Sequence, residues 1–436
     1  MVEHGDIDYL VFECLAERTI ALAQQVRLQN PEDGYDPLLV ERMEAVLPAC
    51  HARGIRIITN MGAANPLAAQ AKVLAIARRH GLRGLTVATV TGDDVLSLVR
   101  NCDAPLVESG RTVAELGERV VAANAYLGAE PMVAALSGGA DIVVTGRVAD
   151  PSLALAAQMH AFEWAADDWP RLGRGTVVGH LVECAGQITG GYFAEPGKKE
   201  VPDLARLGFP ILEVDEDGDA TVTKVAGSGG CVTVQTCTEQ ILYEVHRPDQ
   251  YMTPDTVADF SKVSFDDLGH DRVRVTGGTG APRPEQLKVS VGYTDGFRGE
   301  GQISYTGPGA IRRGRLAAQI VVDRLALTGT LLEEIRCDLI GVDAISGPET
   351  RQDGRSPFAA EDGDLPTDPT EVRVRVAARA ATLDHARRVG REVEALLTNG
   401  PAGGGGAWKT TKATVAVEST FVPRSRVTPA VRYEVV

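Results

Sequence analysis

The chain has 436 residues, 44% hydrophobic and 24% charged, enough apolar side chain for two or three cores rather than one. Its 59 acidic and 44 basic residues leave a net charge of −15, so the totals show no basic face for nucleic acid or an anionic membrane. No run approaches about 18 apolar residues, and residues 1–10 lack the basic and apolar regions of a signal peptide. The seven cysteines are scattered and form no C-x-x-C pair, which argues against a disulfide framework or a thiolate zinc site. A protein of the reducing cytoplasm, with no membrane and no nucleic-acid partner, is expected.

The first half alternates apolar runs with amphipathic ones. Tyr9 to Phe12 reads as a strand, Pro37 to Arg53 as a helix ending at Gly54, and Ile55 to Thr59 as a second strand. A helix over Pro66 to His80 and a strand over Leu85 to Val90 follow. Helices are expected over Val113 to Leu127 and Pro131 to Leu136, then a strand over Ala140 to Thr145. Strands apolar on both faces, alternating with helices, predict a parallel sheet flanked by helices over residues 1–195.

From residue 196 to 436 the pattern predicts a β-rich α+β domain. Strands are expected over Ile211 to Val214, Ala220 to Val225, Val232 to Thr236, Val273 to Thr276, Leu287 to Tyr293 and Gln302 to Tyr305, the last two within a hairpin. A helix over Ile311 to Leu327 and a strand over Ile335 to Val342 come next. Pro348 to Pro369 reads as an acidic surface loop. The chain then predicts a strand over Glu371 to Ala378, a helix over Thr382 to Leu397, a glycine-rich loop, and a last strand over Thr411 to Val417.

In an open parallel sheet, ligands bind beyond the carboxyl ends of the strands. Three such loops are chemically rich. Asn60-Met-Gly offers an amide to a substrate, or makes a simple turn. Thr91-Gly-Asp-Asp94 places two carboxylates side by side at a helix start, where dipole matching is the plainer role. In Thr145-Gly-Arg-Val-Ala-Asp-Pro151, Arg147 can hold a carboxylate or phosphate in a bidentate fork, or simply pair with Asp150. Asp150 can cap the helix that begins near Pro151, or join an acid/base set.

The densest polar cluster is Gly179 to Tyr192. On a helix, His180, Glu183, Cys184 and Gln187 share one face, which can set an acid/base pair in a cleft or form a hydrogen-bonded structural stripe. It lacks the second histidine of a zinc helix. Gly229 and Gly230, before a predicted strand, can present N–H groups to an anion. Gly403 and Gly404, after Asn399 at a helix end, can do the same in a ligand loop or form a mobile linker. Glu300 is either a turn carboxylate or an acid/base group.

These stretches together resemble the acyclic terpene utilisation (AtuA) family. The resemblance rests on Gly139 to Pro151, His180 to Tyr192, Thr223 to Gly230, Leu287 to Ala310 and Thr398 to Gly406, and reaches over nearly the whole chain. It implies breakdown of branched acyclic terpenoids and related acids through coenzyme A thioesters. It carries over no catalytic residue. Longer members continue into a small C-terminal domain, whose role is expected either to be absent here or to be supplied by a separate partner chain.

The residues and the resemblance together predict a catabolic enzyme that hydrates, dehydrates or hydrolyses a small branched carboxylate or acyl-CoA thioester. Catalysis is assigned to His180, Glu183 and Asp150. Substrate binding is assigned to Asn60, Arg147, Gln187, Gly229, Gly230, Asn399, Gly403 and Gly404. No cofactor is called for, beyond coenzyme A as part of the substrate, and a homo-oligomer is expected. One alternative is a non-catalytic scaffold subunit of an acyl-CoA complex. Another is a metal enzyme built on Asp93, Asp94, Asp150 and His180.

Overall fold

The computed structural model describes residues 1–100, 103–345 and 370–436. The chain divides into two compact units, one of Met1–Tyr293 with Val417–Val436, the other of Thr294–Ala416. The expected acidic loop over residues 348–369 lies outside the described residues.

The first unit opens with β1 (Tyr9–Phe12), α1 (Glu17–Gln29), α2 (Leu39–Arg53), β2 (Arg56–Thr59), α3 (Pro66–Arg79) and β3 (Thr86–Thr91). Next come α4 (Leu96–Val99), α5 (Val113–Leu116), β4 (Val120–Ala125), α6 (Glu130–Ser137), β5 (Ile142–Thr145), α7 (Asp150–Ala161) and α8 (Trp169–Glu183). The main sheet runs β1-β2-β5-β3, all parallel. Ile57, Val87, Ile142 and Val144 face a core shared with Leu39, Met43 and Leu47 of α2 and with Val73, Leu74 and Ile76 of α3. Helices α6 and α7 also pack on these strands. Such burial of both faces explains the unbroken apolar strand sequences.

The same unit continues with β6 (Pro210–Val214), β7 (Ala220–Lys224), α9 (Val234–Leu242), β8 (Tyr251–Met252), β9 (Val257–Asp259), β10 (Ser264–Asp267), β11 (Val273–Thr276) and β12 (Thr279–Ala281). These strands make two small antiparallel sheets, β10-β11-β7-β6 and β12-β9-β8. Their core takes Val177 and Leu181 from α8, Cys237 and Ile241 from α9, and Val222, Val273 and Phe260.

The remaining elements are β13 (Gln286–Thr306), α10 (Ala310–Leu327), β14 (Glu334–Ile340), β15 (Glu371–Ala380), α11 (Leu383–Asn399), β16 (Gly404–Pro423) and β17 (Ala430–Val435). In the second unit the sheet order is β14-β15-β13-β16. With α10 and α11 as crossovers, this is the split β-α-β arrangement. Val372, Val374 and Val376 alternate toward the helices, while Arg373 and Arg375 point to the other face. There Glu300, 4% exposed, accepts from Arg375 and Gln302 and pairs with Arg298. Glu300 is therefore an ion-paired sheet residue, not a turn carboxylate.

Five expectations are corrected. The helix expected over Val113 to Leu127 is only α5. A capping box between Thr112 and Glu115 starts it and Gly117 ends it, after which Val120–Ala125 forms β4 against Val289–Tyr293 of β13. Val232 to Thr236 is not a strand, because Thr233 and Thr236 form a reciprocal cap that opens α9. No hairpin interrupts Val289 to Tyr305: β13 is one strand of 21 residues. The glycine run is not wholly a loop, since Gly404–Gly406 already belong to β16. Thr411 to Val417 lies within β16 and is not the last strand; β17 follows and adds antiparallel to β3.

Candidate functional site

The carboxyl ends of the parallel strands carry the polar residues. Glu13 follows β1, Asn60 follows β2, Asp93 follows β3, and Arg147 follows β5. Asn60 is fully buried; its Nδ2 donates to Glu13 Oε1 at 2.9 Å, and its Oδ1 accepts from the Cys14 N–H at 2.8 Å. Asp93 accepts from the Arg147 N–H at 2.9 Å and from Asn124 Nδ2 at 2.9 Å. A Cβ at position 146 would run into the Asp93 carboxyl, so glycine there permits the approach. Burial pushes Asp93 up to about 6, against the pull of its two N–H donors.

Arg147 is 1% exposed. Its guanidinium donates to the carbonyls of Leu15 and Val148 and to Asp150 Oδ1, and lies 4.4 Å from the centroid of the Tyr126 ring. Four hydrogen bonds, from Nε, Nη1 and Nη2, engage the guanidinium inside the chain. It shapes the loop and is closed to a ligand in this structure. Asp150 makes no helix cap; it is the first residue of α7, and its partner is Arg147.

The cluster read on Gly179 to Tyr192 divides at the end of α8. His180 and Glu183 share a face three residues apart, with His180 Nδ1 2.7 Å from Glu183 Oε1. His180 is buried against the rings of Tyr251 and Phe260. Its Nε2 and the Glu183 Oε2 are buried without a hydrogen-bond partner. Burial pushes Glu183 above the ordinary carboxylate range; His180 pulls it down, and Glu13 and Glu244 push it further up. Gln187 sits past the helix end in a 3-10 turn and leaves that face.

A cleft of about 660 Å³ opens beside these groups. Its walls come from β1, α2, α7, α8 and β6. Phe12, Ala154, Val182 and Ile211 supply apolar surface, and Glu3, Asp6, Asp8, Glu13, Asp150 and Glu183 are its acidic lining residues. Arg42 is the cation of the wall, and its guanidinium donates to Cys14 Sγ at 2.6 Å. Burial pushes the Cys14 thiol up to about 11, so it is not a ready nucleophile. Of the residues assigned from sequence, Asp150 and Glu183 line the cleft. Asn60, Arg147 and His180 stand behind its wall, each bonded to a lining carboxyl.

Gly229 and Gly230 take no part in this lining. Their N–H groups are donated to the carbonyls of Arg206 and Pro202, so they are not open to an anion here. Asn399, Gly403 and Gly404 belong to the second unit. Asn399 ends α11, and Arg313 secures the following turn by donating to the Ala402 carbonyl at 2.7 Å. Asp93, Asp94, Asp150 and His180 do not assemble as a metal set; among the described residues no group of three or more His, Cys, Asp or Glu is placed to hold a metal.

Sequence reasoning missed Glu13, Cys14 and Arg42. The signal for the first two was present, because Glu13 and Cys14 directly follow the first strand. The rule applied to the loops after the other strands applies equally there.

Fold and cleft define an α/β protein with a carboxyl-lined pocket along the edge strand β1 of a mostly parallel sheet. The family model for the acyclic terpene utilisation family protein AtuA matches residues 1–433, and the chain belongs to that family. No curated protein and no solved structure matches it. Among the described residues, no helix is long and apolar enough to cross a membrane.

Proposed function

We propose that the protein is a catabolic enzyme that moves protons on a branched acyl substrate, with Glu183 and His180 as the working pair. The observation that carries this reading is the carboxyl of Glu183. It lies in the wall of a half-apolar cleft, bonded to a buried histidine on one oxygen and unpartnered on the other. Burial favours its protonated form, which is what a general acid needs near neutral pH. His180, held between aromatic rings, fixes the rotamer and can exchange the proton.

The wall is rich in carboxylates and has few cations. Such a lining repels phosphates. The acyl end of a thioester, not the nucleotide of coenzyme A, is therefore the part that enters. Arg42 is the group best placed to meet a carboxylate or thioester oxygen. Asp150 also lines the cleft, held from behind by Arg147. The cysteines placed in the structure are free, which fits a reducing cytoplasm.

The test is turnover of branched enoyl-CoA and 3-hydroxyacyl-CoA thioesters and of the free acids, with Glu183→Gln beside the wild type. Loss of at least about 100-fold in kcat is expected in the variant. Calorimetric binding of a thioester without any turnover would instead favour a scaffold subunit.

A further inference from the structure

We infer that Glu13 and Glu183 form a carboxyl pair in which Glu13 is the base and Glu183 the acid, with Asn60 as the residue that positions Glu13. The inference rests on the acid/base reading above.

Glu13 leaves the carboxyl end of β1 and lines the same cleft as Glu183. Its Oε1 accepts two N–H bonds, from Leu15 at 2.9 Å and from Asn60 Nδ2 at 2.9 Å. Asn60 has no freedom left. It is fully buried, and its other end accepts the Cys14 N–H. An asparagine clamped at both ends cannot offer its amide to a substrate; what it does is fix the carboxylate in front of it. Glu183 has the contrasting environment: one oxygen on a histidine, the other buried and unpartnered. Two carboxyl groups in unlike surroundings divide naturally into base and acid. Asp150 also lines the cleft, but it is tied to Arg147, and the remaining acidic lining residues, Glu3, Asp6 and Asp8, lie in the segment before β1.

On a 3-hydroxyacyl thioester the step balances without a co-reactant. The Glu13 carboxylate takes the proton from the carbon next to the carbonyl, and that C–H electron pair becomes the second carbon–carbon bond. The C–O bond at the next carbon breaks. The hydroxyl leaves as water with the proton of Glu183. Proton exchange with solvent returns both carboxyls to their starting forms, and the reverse sequence is hydration.

Two measurements test the pair. The first needs no substrate: the carboxyl carbons of 13C-labelled glutamate are titrated by NMR in the wild type, Glu13→Gln and Glu13→Asp, with the Glu183 signal assigned by Glu183→Gln. The titratable groups around Glu183 are His180, Glu13, Glu244, Cys184 and Tyr251. Removing the negative charge at position 13 should move the Glu183 midpoint to lower pH, and Glu13→Asp should retain the higher value. An unmoved midpoint in folded Glu13→Gln overturns the pairing. The second is turnover of the branched thioester panel. Glu13→Gln should lose about 100-fold or more in kcat with KM little changed, and Asn60→Ala should lose less while shifting the pH–rate profile. Loss of turnover in Glu183→Gln with wild-type kcat in Glu13→Gln defeats the pair and leaves the acid/base reading standing. No turnover of any thioester by the wild type defeats both.

Discussion

The main-chain N–H of Arg147 donates to the carboxyl of Asp93, joining the loop after β3 to the loop after β5 at 2.9 Å. Through that bond a buried carboxyl without access to the cleft governs where Arg147, and with it Asp150, can sit.

Asp93 should make stability depend on pH in the direction opposite to a salt-bridged aspartate. Its folded value of about 6 lies above the ordinary 3.8, so the folded chain holds this proton more tightly than the unfolded chain. The stabilisation is complete below the unfolded value and is lost as pH rises through the folded one, an effect of about 3 kcal/mol between about pH 4 and 7. Asp93→Asn should flatten that part of the profile in urea denaturation. Parallel curves for variant and wild type would contradict the assignment.

Arg147→Ala should destabilise the fold by about 3 kcal/mol, because two buried carbonyls, Leu15 and Val148, lose their donor. Arg147→Lys should recover little, since one ammonium cannot fill a fork that also stacks on Tyr126. Urea melts measure both. A lysine variant as stable as the wild type would show that the fork geometry is unimportant.

Glu183→Gln should raise the melting temperature at neutral pH while abolishing turnover. A carboxyl whose folded value is raised loses stabilisation as pH climbs through that value, and glutamine removes the loss. The gain should shrink at acidic pH, where glutamate is already neutral. A gain that grows on acidification would mean the carboxylate form is the favoured one.

Two glycines of the second unit should respond in opposite ways to alanine. A Cβ on Gly299 would collide with the Ala386 carbonyl of α11, so Gly299→Ala should cost about 1–3 kcal/mol. Gly405 has open space around that position, and Gly405→Ala should stay within about 0.5 kcal/mol of the wild type. Equal effects from the two would argue against the close approach of helix and sheet.

The parallel sheet was readable because its strands are apolar on both faces and its helices stop at clear signals, as α2 does at Gly54. Val232 to Thr236 misled because β-branched residues suit a strand, while the Thr233–Thr236 cap is a local contact that overrides them. The 21 residues of β13 were not legible as one strand, which is far longer than the usual length of about five or six residues, and Gly299 and Gly301 within it make room for α11. That His180 and Glu183 share a helix face, and that Asp150 lies in the loop region after β5, was legible from spacing and position. Arg147 drew attention as a ligand-binding group because a sequence does not reveal that a guanidinium is 1% exposed. Glu13 was marked only by its place directly after β1; that Asn60, 47 residues away, holds it is a long-range contact the sequence does not show.

Strand β17 carries a consequence for synthesis. Ala430 pairs with Thr91 across 339 residues, so the flank of the first sheet stays open while everything between them is being translated. A chain halted at residue 416 would display β3 as a bare edge of unpaired backbone groups, ready to recruit other strands. Nascent copies of this protein should therefore depend on chaperone protection until β17 has left the ribosome.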